Sequence, residues 1–139
     1  MSTFEFVSLR CVAQNELGGD EITVEYVGRQ VFPAPGMQAK FRAGDVVVNL
    51  EATLEGAERS RWLEVSGALP LEHFPGLGDF TRVEIEDIGL VVEVWEHDVL
   101  SANDLIGKIV VFPSPTKGPV TKTLDAALTG VYEITYQVF

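Results

Sequence analysis

Apolar and polar residues alternate with a period of two along most of this chain, and almost nowhere with the period of a helix. Residues 4–12 predict a strand with a change of phase at Phe6-Val7, the mark of a β-bulge. Ile22, Val24 and Tyr26 share one face ahead of a tight turn at Gly28, and residues 30–32 predict the returning strand. Val46, Val48, Leu50, Ala52 and Leu54 alternate with polar positions and predict a half-buried strand, with residues 61–66 pairing back on it. Val92 and Val94 face one way while Val91, Glu93 and Trp95 face the other. Residues 108–112 continue as a strand, and Tyr132, Ile134, Tyr136 and Val138 predict the last one. Residues 67–79 carry Pro70, Pro75 and three glycines and predict an irregular excursion, and 124–128 suit one helical turn. About eight short strands without an amphipathic helix predict an all-β fold, a single antiparallel β-sandwich spanning residues 1–139. Loops of a sandwich gather at its two ends, so residues distant in sequence can share one cluster.

The stretch 91–108 breaks the alternation. After the strand come Glu96, Asp98 and Asp104 with Ser101 and Asn103, then Ile106-Gly107. A strand does not hide that many charges on a buried face, so a loop at a strand end is expected here. Acidic oxygens held on one short loop repel each other, and a hard cation such as calcium relieves them. Between the acids stands an apolar tip, Val99-Leu100, which a merely solvated loop does not require.

Composition narrows the choice of partners. Hydrophobic residues make up 46% of the chain, which suits a folded globule. Ten basic against 21 acidic side chains leave a formal charge of −11, which repels nucleic acid, and no basic patch interleaved with aromatics is present. Such a charge also repels anionic lipid until a cation is recruited. The lone Cys11 excludes an intramolecular disulfide and reads as a small buried apolar group. Neither a signal peptide nor a bilayer-length apolar run is evident, so a soluble, cytoplasmic protein is expected, with peripheral membrane contact at most.

The segment 96–108 resembles the third calcium loop of the C-two domain, the lipid-binding β-sandwich of synaptotagmins and protein kinase C. The resemblance puts Glu96, Asp98 and Asp104 at acidic ligand positions and Ser101 at an occasional oxygen donor. Residues 16–24, E-L-G-G-D-E-I-T-V, are similar to the family's first calcium loop, with Glu16 and Asp20 at its acidic places and Leu17 at its tip. Glu stands for Asp at both first positions, and the middle of the chain carries an insertion or a changed connection. The resemblance implies a calcium site built from Glu16, Asp20, Glu96, Asp98, Ser101 and Asp104. It also implies membrane contact through Leu17, Val99 and Leu100, on a phospholipid surface or a protein partner, without catalysis.

Other chemistries find less support. An EF-hand run is absent, and Cys11, His73 and His97 lack zinc spacing. No nucleophile elbow, phosphate loop or dinucleotide pattern occurs. Trp62 and Trp95 would have to be exposed to stack on sugar. The alternative is an adaptor sandwich that mediates protein–protein assembly without metal.

Overall fold

The computed structural model describes residues 2–49, 68–70, 80–97, 102–126 and 130–139. Among them eleven strands form two sheets. The strands are β1 (Ser2–Ala13), β2 (Asp20–Tyr26), β3 (Arg29–Phe32), β4 (Ala39–Phe41), β5 (Val46–Val48), β6 (Ala68–Pro70), β7 (Arg82–Ile85), β8 (Leu90–Glu96), β9 (Asp104–Val111), β10 (Val120–Ala126) and β11 (Gly130–Val138). One sheet runs β10-β11-β1-β5-β6, with β7 pairing the first half of β1 beside β5. The other runs β3-β2-β8-β9, with β4 pairing the first half of β2 beside β3. All pairs are antiparallel except β5 with β6. The fold is an all-β sandwich, and among the described residues no helix is long and apolar enough to cross a membrane.

The long strand β1 organises its sheet. Its register against β11 shifts between Phe6 and Ser8, so Phe4 and Phe6 on one side of the bulge, and Leu9 and Cys11 on the other, all enter the core. Facing them across the sandwich are Ile22, Val24, Val92 and Val94. Phe80 is the hub: its ring lies 4.3 Å from Phe6, 5.1 Å from Phe32 and 5.8 Å from Tyr26. The Tyr26 hydroxyl donates to the Phe80 carbonyl at 2.9 Å, which satisfies a phenol buried among apolar groups. On the outer face Glu5 is buried between neighbouring strands, where Arg82 (2.5 Å) and Gln137 (2.6 Å) donate to its two oxygens.

Several expectations change. Residues 124–128 were expected to make a helical turn, but β10 runs to Ala126, because pairing with β11 continues through Ala126 and Gly130. Leu124 then packs on Gly107, where any Cβ would come within 2.8 Å of it; this is the physical reason for a glycine after Ile106. The expected excursion at 67–79 contains β6, paired parallel to β5. The alternation read from Val46 fails at its start, since Val46, Val47 and Val48 are all buried and β5 is covered on both faces. Leu50, Ala52, Leu54 and the strand expected at 61–66 lie outside the described residues. The strand expected at 108–112 begins earlier, at Asp104.

Phe80→Ala removes the shared ring of the aromatic cluster. A loss of about 3–5 kcal/mol is expected, read as a lower urea midpoint at unchanged slope.

Candidate functional site at the acidic tip

The two acidic segments meet at one end of the sandwich. Position parity brings them there: Asp20 continues the inward series of Ile22 and Val24 on β2, and Glu96 that of Val92 and Val94 on β8. Ile22 pairs with Glu96 across these strands, and Glu96 pairs with Asp104 of β9. Two carboxyl groups therefore close the mouth of an otherwise apolar core. The expectation that β8 ends before its charges is corrected here: the strand runs through Glu96, and the side chain is 2% exposed.

Asp20 is 0% exposed, and its hydrogen bonds are full. Oδ1 accepts from the Asn15 and Glu16 amides, both at 3.0 Å. Oδ2 accepts from the Asn15 amide at 3.2 Å and from the Tyr132 hydroxyl at 2.8 Å. Gly130 makes room, since at φ +101° its Cβ position lies 3.1 Å from Oδ2, a spot and a conformation that suit no other residue. The loop above Asp20 is braced from outside. Gln14 donates to the Glu16 carbonyl at 2.8 Å and accepts from the Ala43 amide at 2.9 Å, and Arg42 donates to the Gly18 carbonyl at 3.1 Å. Asp20 thus stands where a ligand was expected, with its lone pairs already committed to shaping the loop.

Glu96 is the opposite case. Its Oε2 is buried and has no hydrogen-bond partner among the described residues. Burial raises its pKa to about 7; the charge of Asp20 adds to the rise, then the approach of the Glu16 carboxyl and the charges of Glu16 and Asp104. Burial also pushes the Tyr132 hydroxyl far upward, with Cys11 and Asp20 adding to the effect, so it stays a proton donor to Asp20. Glu16 is half-buried, Asp104 is exposed at the start of β9, and Leu17 at the loop apex is fully exposed (104%). Among the described residues no three His, Cys, Asp or Glu side chains are arranged to hold a metal ion together. Asp98, Val99, Leu100 and Ser101 lie outside the described residues.

Beside the tip, on the outer face of the β2–β8 sheet, His97 Nε2 lies 2.6 Å from the Thr23 hydroxyl, and Thr23 is fully buried. His97, in the stretch expected to be a loop, is half-buried, and its amide extends the pairing of β8 by donating to the Glu21 carbonyl at 2.8 Å. Trp95 is half-buried with Nε1 enclosed, which leaves little of it for sugar stacking. Trp62 lies outside the described residues. Sequence reading missed Tyr132 and Gly130, which look like ordinary strand residues until the sheets are assembled.

Neither family models nor curated proteins give a match to this chain. Solved structures do. The C-two A domain of plant Extended Synaptotagmin 1 is 8% identical over 99% of this chain and 90% of that one, with a TM-score of 0.40. Human GIVD cytosolic phospholipase A2 is 12% identical over 99% of this chain and 16% of its own length, with a TM-score of 0.38. The same enzyme with a fluorophosphonate inhibitor and terbium chloride gives 11% identity and a TM-score of 0.37, with 17% of its length covered.

Because the folded pKa of Glu96 lies above its ordinary 4.5, the native state binds this proton more tightly than the unfolded chain. The stabilisation is complete below about pH 4.5 and is lost as pH rises through about 7. Without added metal, the unfolding free energy should fall by of order 1–3 kcal/mol between pH 5 and pH 8. Glu96→Gln should flatten that slope in parallel urea titrations. Tyr132→Phe, which takes one donor from Asp20, should cost about 1–3 kcal/mol in the same assay.

Proposed function

We propose that the acidic tip takes up a divalent cation, calcium foremost, and docks the protein reversibly on an anionic phospholipid surface without catalysis. Glu96 Oε2 carries this reading: a buried carboxyl oxygen without a hydrogen-bond partner among the described residues, set among Asp20, Glu16 and Asp104. A buried polar atom left unpaired is costly, and only a proton or a cation relieves a carboxyl in such company. In the described arrangement Glu96, Glu16 and Asp104 do not close on one point, so the ion would draw the other two carboxyl groups toward Glu96 Oε2. Asp98 and Ser101, expected from the sequence to be donors, complete the set. Asp20 acts as a positioning residue that fixes the 14–19 loop.

When bound, the ion would supply positive charge at the tip, offsetting the local negative potential that keeps this end of a chain of net charge −11 from anionic headgroups. Leu17 then enters the interface, with Val99 and Leu100 beside it as the sequence leads one to expect. Each buried aliphatic side chain contributes roughly 1.5–3 kcal/mol, enough together for reversible attachment.

Millimolar calcium should raise the thermal midpoint and release heat in titration calorimetry. At a free concentration of about a hundred times Kd the stabilisation is about 2.7 kcal/mol, and Glu96→Gln should abolish most of it. Affinity should weaken from pH 8 to pH 6, as the proton competes for Glu96. Leu17→Ser should leave the calcium heat intact and reduce cosedimentation with phosphatidylserine vesicles. No heat and no stabilisation in millimolar calcium would overturn the reading.

A further inference from the structure

We infer that the opposite pole carries an independent docking surface for a protein segment whose apolar residues are flanked by lysine or arginine. The outer face of the β2–β8–β9 sheet changes character along its length. Near its middle stands the charged row Glu25, Glu93 and Lys108. One row farther from the acidic tip come Val27, Val91 and Val110: the Val27 amide donates to the Val91 carbonyl at 2.9 Å, and Val91 pairs with Val110. Phe112 follows, closing over Gly89, where a Cβ would meet Val110 Cγ1 at 3.0 Å and Phe112 Cδ1 at 3.4 Å. Phe112 is nevertheless 60% exposed and Ile88, beside Gly89, is 81% exposed; Val27 and Val110 are open as well. Single exposed apolar residues are ordinary, whereas a contiguous group on one sheet face marks an interaction surface.

A cavity of about 440 Å³ adjoins this group, lined by Ser2, Glu84, Ile85, Glu86, Asp87 and Pro113. Ser2 Oγ donates to the Pro113 carbonyl at 3.0 Å and ties its two sides together. The cavity shares the 86–89 turn and the 112–113 segment with the apolar group, and among the described residues three carboxylates and no basic side chain line it. This arrangement selects the occupant. A second copy of the chain, at −11, brings like charge against the carboxylates, and an anionic lipid surface does the same. A lysine or arginine suits them: its charged end meets Glu84, Glu86 or Asp87, while an apolar neighbour in the same segment covers Phe112 and Val110.

The test uses the full chain with chelator present, so that the acidic tip takes no part. A short synthetic peptide of alternating lysine and leucine is titrated into isotope-labelled protein, beside a counterpart with glutamate for lysine. Chemical-shift changes should concentrate at Val27, Ile88, Val110 and Phe112. Both the Phe112→Ser/Val110→Ser pair and the Glu84→Gln/Glu86→Gln/Asp87→Asn triple, all at solvent-exposed positions, should weaken binding by about tenfold or more. The inference is overturned by an absence of shifts at millimolar peptide, by shifts centred elsewhere, by unchanged affinity in the variants, or by equal binding of the glutamate peptide. Self-association or anionic-vesicle binding that Phe112→Ser abolishes would overturn it too, by giving the face another occupant.

Discussion

One hydrogen bond joins the two sheets where the core would otherwise lie open: the Tyr132 hydroxyl on β11 to the Asp20 carboxylate on β2. A sandwich excludes water along its flanks by packing, but at its ends the loops must do that work. Here a charged group is taken out of solvent to do it, which is tolerable only because both of its oxygens are fully occupied. With Asp20 fixed, the 14–19 loop has a set shape, Leu17 is held outward, and Glu96 on the neighbouring strand is shut in beside a negative charge. The raised affinity of Glu96 for a proton comes first from its own burial, and the charge of that buried acid adds to it.

The architecture was legible in the chain because the physics behind it is local. Alternation located β2, β8 and β11, and the phase change at Phe6-Val7 located the bulge. Where local signals mislead, tertiary pairing has overruled them. Residues 124–126 look helical but extend because β11 lies alongside, and Val47 is buried because β5 sits inside a sheet. At the tip, the acids were identified but their states were not. Charge suggested exposure for Glu96, although its parity with Val92 and Val94 already pointed it inward. Nothing near Tyr132 or Gly130 in sequence marks them as partners of Asp20, since that relation exists only across the assembled sheets. Ser101 and Asp98 lie outside the described residues.

The molecule is chemically polarised along its strands. β8 begins among Ile88, Gly89 and Phe112 and ends at Glu96, so one strand connects an exposed apolar surface to the acidic tip. The negative charge of the chain serves both ends differently. At the tip it gathers on Asp20, Glu96, Glu16 and Asp104; at the other pole Glu84, Glu86 and Asp87 border an apolar face.

The edge of β1 has a further consequence. The Asn49 amide donates to the Val7 carbonyl, and the Phe6 amide donates to the Thr81 carbonyl. The chain therefore leaves this edge beside Val7 and rejoins it beside Phe6, two neighbouring residues of β1. The described residues between Asn49 and Thr81 return to the fold in β6, alongside β5, and at Phe80, so the two crossings at Val7 and Phe6 hold in place both an edge strand and the centre of the core.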